Sequence, residues 1–320
     1  HYLSFGAVDR EMADLLGSKG LSTGARLIPQ HLADRQAGNV LPFDETETRK
    51  IVQGFAGSSN LLYHSLVDEP DAGDYYCGRR LGASAMELVA RESFLREVDP
   101  EHYSFVQLDN TFRPRSYAVY GESADVLATH RYSLGNFIRG EAGADTVTKL
   151  SFLEDLQDTV AKLQAATAPK PFFMVTQFFD LGPRREGRPP TIGEMRLQCY
   201  AMVAGGARGF IHYIHSGSSG GHEGGKTPAL WDAMTAMHQE FARVGDVVQS
   251  GTTAPADWVK AASPNVYASG IVSDNAMAVI VINRTHRSET SQFTAHPTRD
   301  VKVSVRVPAW IEASELSVVA

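Results

Sequence analysis

Across the first 250 residues, short β-rich runs alternate with longer helical patterns, and this alternation limits the fold more than any other feature. Strands are expected over residues 2–8, 21–28, 61–67, 103–108, 124–132, 172–178 and 209–215. Helices are expected between them, over 10–18, 45–55, 85–97, 115–120, 150–166, 191–203 and 230–248. The helix over 150–166 carries Leu153, Leu156, Val160 and Leu163 at steps of three and four, which is one apolar face of a helix. Thr191 followed by Glu194 is a capping box, and Gly205-Gly206 closes the helix it opens. Strand-helix repetition of this kind builds an α/β fold, and its closed form is a (β/α)8 TIM barrel with eight strands. Seven strands are countable, so the first is expected to precede His1. An open doubly wound sheet is the competing architecture. It is disfavoured because no Gly-x-Gly-x-x-Gly follows an early strand.

The pattern changes after Gly251. Residues 266–272, 276–283 and 301–307 alternate or run apolar, with turn residues between them and no stretch of helical length. The expected organisation is a barrel domain over 1–251 and an all-β, sandwich-like accessory region over 252–320. Asn283-Arg284-Thr285 in that region fits a glycosylation sequon, a triplet that also arises by chance.

Composition removes several classes of function. The 37 acidic against 30 basic residues leave a formal charge of -7, which argues against a nucleic-acid partner, since phosphate binding needs clustered Lys and Arg. Two cysteines, Cys77 and Cys199, make neither a disulfide framework nor a Cys-x-x-Cys site. The longest apolar runs, such as Pro171 to Phe179, fall far short of the roughly 20 residues that span a bilayer, so no membrane insertion is expected. The chain opens on His1-Tyr2-Leu3 without a start methionine. Removal of an upstream signal peptide would make the protein secreted or periplasmic.

Barrel enzymes place their chemistry at the C-terminal ends of the strands. The polar residues there are Arg26, Asp68 and Glu69, Gln107 and Asp109, His130 and Tyr132, Gln177 and Asp180, and Tyr213 and His215. Carboxylates for proton transfer, amides and imidazoles for hydroxyls, and aromatic faces for rings together suit a sugar. Asp68-Glu69-Pro70 is the sharpest of these features. Neighbours in a strand point to opposite faces, so both acids reach one site only where the strand ends, and Pro70 is consistent with an ending. The plain structural reading is an acidic pair that caps a helix or meets Arg79-Arg80. Arg131 reads as a structural partner for a carboxylate, and Glu194 and Arg196 as capping and packing residues. His212 and His215 on a strand would point apart, and no His-Glu-x-x-His occurs, so no metal centre and no cofactor are expected.

Four segments carry a resemblance to (β/α)8-barrel glycoside hydrolases of the clan A type. They are Leu61 to Pro70, Asp125 to Tyr132, Pro171 to Phe178, and Pro190 to Arg196 running on to Gly205–Phe210. The likeness covers roughly residues 20–250. It implies a glycosidase acting on an oligo- or polysaccharide, with a general acid/base Glu on the fourth strand and a nucleophile Glu on the seventh. With one strand missing at the front, Glu69 matches the acid/base. The seventh strand has Gln177 where the nucleophile is expected, and an amide cannot serve as a carboxylate nucleophile. Asp180 from the following loop could supply the carboxylate, or an inverting base could come from Asp109 or Asp68. The adjacent Asp-Glu pair also resembles the family 123 N-acetylhexosaminidases, in which the sugar's own acetamido group attacks, the Asp orients it and the Glu is acid/base. On this reading Asp68 and Glu69 are the catalytic pair, and Arg26, Gln107, His130, Tyr132, Gln177, Asp180, Tyr213 and His215 bind substrate. The alternative is a carbohydrate-binding pseudoenzyme that has lost its nucleophile at Gln177. Neither reading sets the oligomeric state.

Overall fold

The computed structural model describes residues 10–20, 22–27, 43–71, 83–109, 114–132, 152–179, 189–213, 228–288, 293–312 and 317. The expected strand over 2–8 lies outside them. The chain divides into two compact units, residues 1–130 with 165–173, and residues 131–164 with 174–320.

The first unit runs α1 (Arg10–Gly17), β1 (Thr23–Arg26), α2 (Glu45–Gly54), β2 (Leu61–Asp68), α3 (Ala85–Val98), β3 (Tyr103–Leu108), α4 (Arg115–Tyr120) and β4 (Val126–His130). The pairs β1–β2, β2–β3 and β3–β4 are all parallel. Buried parallel strands need apolar side chains on both faces, and the sequences TGAR, LLYHSLVD, YSFVQL and VLATH supply mostly those. The helices begin where the sequence caps them. Asp44 accepts from Glu47 N ahead of α2, and Ser84 with Glu87 makes a full capping box ahead of α3. At the start of β4, Asp125 accepts from the amide and hydroxyl of Ser104, and Ser104 Oγ accepts in turn from Asp125 N. Gly24 lets β1 approach β2 closely, since a Cβ there would lie 2.3 Å from the ring of Tyr63.

The second unit contains α5 (Phe152–Thr167) as far as Gln164, most of β5 (Phe172–Gln177), α6 (Ile192–Ala204), β6 (Gly209–Tyr213), α7 (Pro228–Ala242) and α8 (Gly245–Ser250). The expected capping box of Thr191 and Glu194 opens α6, and the helix stops at Gly205. Gly206 follows at φ +104, a backbone state that a side chain would strain. Phe178, Met195, Cys199, Leu230, Met234 and Met237 form one buried cluster joining the end of β5 to α6 and α7. Each large side chain there contributes about 1.5–3 kcal/mol through burial. The single helix expected over 230–248 is two helices. Arg243 N and Val244 N bond back three residues, to Glu240 O and Phe241 O, so the chain tightens and restarts at Gly245. The apolar periodicity runs across this break, which is why it was invisible.

Strands β1 to β4 of the first unit stand in chain order in one parallel sheet, and helices alternate with strands along the chain through β6. This is a TIM-barrel-like α/β arrangement, as expected. From Thr252 onward every described regular element is β. β7 (Thr252–Thr253), β9 (Val266–Val272) and β10 (Met277–Asn283) form a three-stranded sheet. β8 (Val259–Ala261) pairs with β13 (Val303–Val305), and β11 (His286–Ser288) with β12 (Phe293–Ala295). The strand expected over 301–307 is thus three residues long. These small sheets are all β, yet they show a sandwich only weakly. They are tied to the helices of the same unit. Ser269 Oγ donates to Ala204 O at 2.9 Å, Gln164 Nε2 to Thr253 Oγ1 at 3.1 Å, and Arg284 pairs with Glu154 at 3.2 Å. Asn283 of the sequon is engaged in the fold. Its amide donates to His296 O at 2.7 Å, and its oxygen accepts from Thr285 and Thr298.

Candidate functional site

In the first unit the polar strand ends form a carboxylate cluster around one imidazole. Glu69 follows the last residue of β2 and adopts φ 48. A left-handed backbone is unusual for a residue with a side chain, more so before a proline, which favours extended geometry in its predecessor. Such an outlier persists only where its surroundings hold it, and it points toward a functional role. One restraint is visible, since Glu69 N donates to Gln107 O at 2.8 Å. The turn aims the carboxylate so that Oε1 lies 3.8 Å from His130 Nδ1, at the end of β4. The other ring nitrogen, His130 Nε2, lies 3.6 Å from Asp109 Oδ1, just past β3. A single imidazole therefore faces two acids from different strands, one near each ring nitrogen.

Asp68 is paired in register with Gln107 across β2 and β3. Gln107 is buried, and its Oε1 meets no hydrogen-bond partner among the described residues. Asp71 is a residue that strand-end reasoning missed. Its Oδ1 accepts from Asp109 N at 2.8 Å and so fixes the acid that faces His130. Burial pushes the Asp71 carboxyl above the usual carboxylate range, against hydrogen bonds from Asp109 and Ser116. Asp71 stands three residues beyond Asp68 in an Asp-Glu-Pro-Asp run, and that run was its only sequence signal.

In the second unit the strand ends are neutral and aromatic. Tyr213 closes β6 and is 38% exposed. Its ring lies nearly parallel to that of Tyr132 at 6.2 Å, and Phe179 meets both edge-on at 5.1 and 5.4 Å. Gln177 closes β5 and is 1% exposed. Its amide donates to Phe179 O at 3.3 Å, while its backbone N–H donates to Gln198 Oε1 of α6 at 3.0 Å. Thr176 and Phe178 face the helices instead. Thr176 Oγ1 lies 2.5 Å from His212 Nδ1, and His212 Nε2 lies 2.7 Å from His238 Nε2 of α7. By strand alternation Gln177 and Tyr213 belong to the face opposite Thr176 and His212. Burial, with His238 beside it, pulls the His212 pKa down to about 3, so this pair is neutral. Arg131 makes a two-pronged ion pair with Asp155 at 2.5 and 3.0 Å, and Arg196 pairs with Glu240, so both have the structural roles expected of them. Cys199 is buried, and its thiol is held well above its ordinary range.

Asp180 and His215 lie outside the described residues, as does the side chain of Arg26, whose backbone is in β1. Among the described residues, two trios place potential metal-ligand atoms within 4.8 Å of one another. One is Glu69, Asp109 and His130; the other is His64, Asp99 and His102.

No family model and no curated protein sequence matches the chain. Solved structures do. A β-galactosidase from Rahnella sp. R3 is 10% identical with a TM-score of 0.53, over 76% of this chain and 49% of that one. A β-galactosidase from the haloarchaeon Halorubrum lacusprofundi is 16% identical with a TM-score of 0.50, over 72% and 50%. A third, from the psychrophilic Marinomonas ef1, is 14% identical with a TM-score of 0.50, over 75% and 54%. The chain spans about half the length of these structures. At such identities the likeness establishes the barrel-type fold. It lends no support to the family 123 resemblance of Asp68-Glu69-Pro70.

Proposed function

We propose that this chain is the barrel portion of a glycoside hydrolase and that Glu69 is its general acid/base. The observation that carries this reading is the Glu69 turn, a left-handed backbone at the end of β2 that holds a carboxylate beside one ring nitrogen of His130, with Asp109 near the other. A fold shared with β-galactosidases makes a sugar substrate the first class to test. In this role Glu69 protonates the glycosidic oxygen as the bond breaks, Asp180 of the loop after β5 is the candidate carboxylate to bond the sugar carbon in its place, and Glu69 later takes a proton from the water that displaces it. His130 and Asp109 set the local charge around it. Glu69 and Asp109 present oxygens within 4.8 Å of each other, shorter than the roughly 6.5–9.5 Å that an inverting pair needs to seat a water. That spacing argues against Asp109 as an inverting base. Tyr132, Tyr213 and Phe179 offer aromatic faces for a sugar ring, and Gln107 an amide for a hydroxyl.

The test is a panel of aryl-glycosides, β-galactosides and N-acetylated sugars included, run on the wild-type chain and on Glu69→Gln. Hydrolysis abolished in the variant supports the reading; hydrolysis unchanged in the variant sinks it. The neutral, buried Gln177 favours a second reading, a carbohydrate-binding barrel without hydrolysis. Saturable sugar binding by calorimetry with no turnover on any member of the panel would favour that one.

A further inference from the structure

We propose that His64, Asp99 and His102 form a binding site for a divalent transition-metal ion of the zinc class. The three come from separate parts of the first unit. His64 is in the middle of β2, Asp99 is the C-cap of α3, and His102 immediately precedes β3. His64 Nε2 lies 2.8 Å from Asp99 Oδ2, and His102 Nδ1 lies 2.9 and 3.0 Å from the two Asp99 oxygens. The two rings meet edge-on at 5.8 Å, and one ligand atom from each residue falls within 4.8 Å of the others.

Two imidazoles and one carboxylate are a donor set that suits zinc, with a fourth position left for water. Donors around a four-coordinate zinc stand about 3.3 Å apart, given bonds of about 2.0–2.1 Å. The two His–Asp99 pairs need to open by only roughly a few tenths of an ångström. A hydrogen-bonded carboxylate between two neutral imidazoles is the competing account. His64 tells against it. The residue is fully buried, yet Nδ1 has no hydrogen-bond partner among the described residues, so Nε2 toward Asp99 is its one polar anchor there. A histidine kept only to fill the core would be better replaced by an apolar side chain. A histidine kept as a ligand needs its Nε2 aimed where it is.

The trio sits where the α3–β3 connection enters the sheet, away from the strand ends that carry Glu69 and Asp109. That end of a barrel serves stability, so the ion would clamp the connection to β2. The proposal is therefore independent of the glycosidase reading.

The full chain, stripped with EDTA, is titrated with Zn2+ by calorimetry and with Co2+ by visible absorption. The expected result is one ion per chain, the d–d bands of a four-coordinate Co2+ site, and a Tm raised by roughly 3–5 °C at saturating Zn2+. His102→Gln and Asp99→Asn are each expected to weaken binding by at least roughly tenfold and to erase the Co2+ bands. His102 is the most exposed of the three, so its variant decides the matter if Asp99→Asn fails to fold. Absence of the bands and of the Tm shift in the wild type, or bands unchanged in a folded His102→Gln, would overturn the proposal.

Discussion

The strand ends of the two units occupy equivalent places in a βα repeat and carry opposite chemistry. At the ends of β2, β3 and β4 stand Glu69, Asp109 and His130, an imidazole with a carboxylate near each ring nitrogen. At the ends of β5 and β6 stand Gln177 and Tyr213, an amide and a phenol with Phe179 and Tyr132 against the phenol ring. The first set can exchange protons. The second can hold a polar ring by stacking and hydrogen bonding, and the half-buried imidazoles on the helix side of it, His212 and His238, are kept neutral. On the proposed reading the first set does acid/base work and the second recognition, with burial and local charge dividing them.

The contrast breaks most readily at Glu69. Glu69→Gln keeps the shape and removes the proton, so turnover is expected to fall by about 10²–10⁴ with sugar affinity retained. Separate kcat and Kd measurements check this, and an equal loss in both would make Glu69 a binding group only.

The neutrality of the second region is tested by pH. The ordinary histidine value is 6.5, and His212 in the folded chain sits at about 3, with His238 also lowered. Between those values the unfolded chain binds more protons than the folded one. This part of the stability is complete above about pH 6.5 and is lost as pH falls toward 3. A loss on the order of 5 kcal/mol across that window is expected in urea titrations. A His238→Gln variant with the same slope as wild type would show that the pair is not its source.

A smaller effect is expected from Arg131→Met. Asp155 is 5% exposed and would lose its two-pronged partner, at about 1–3 kcal/mol of stability. Urea unfolding with turnover measured in parallel would show whether Arg131 is structural, as its pairing indicates, or also touches substrate.

The smallest change belongs to the aromatic face. Tyr213→Ala is expected to raise KM by about 3–10-fold, the equivalent of one ring-stacking contact, and to leave kcat within about twofold. A collapse of kcat with KM unchanged would move Tyr213 out of the recognition set and blur the division between the two regions.

Much of this was legible in the chain alone because it is local. Strand-helix order, the capping boxes at Ser84–Glu87 and Thr191–Glu194, and the helix stop at Gly205 depend on residues within one turn of each other, where sequence spacing is geometry. The end of β2 before Glu69-Pro70 was legible for the same reason. The break at Arg243–Val244 was not, because apolar side chains keep their spacing across it while the backbone tightens.

What only the tertiary structure decided is which distant residues meet. His64 is separated from Asp99 by 35 positions and Asp99 from His102 by three, and no spacing rule joins all three. The parallel register of β2 with β3 brings them together. The same register carries Asp71 to the amide of Asp109, and the parallel pairing of β3 with β4 lines up the ends from which Asp109 and His130 face each other. Strand parity is likewise ambiguous in a buried parallel sheet, since both faces are apolar. It took His238 on α7 to show that His212 faces the helices, which by alternation leaves Tyr213 on the opposite face. The amino-acid sequence determined the elements and the residue types at their ends. Packing determined which of those ends became a cluster, because proton transfer and metal binding need side chains a few ångströms apart, and only the folded chain sets that distance.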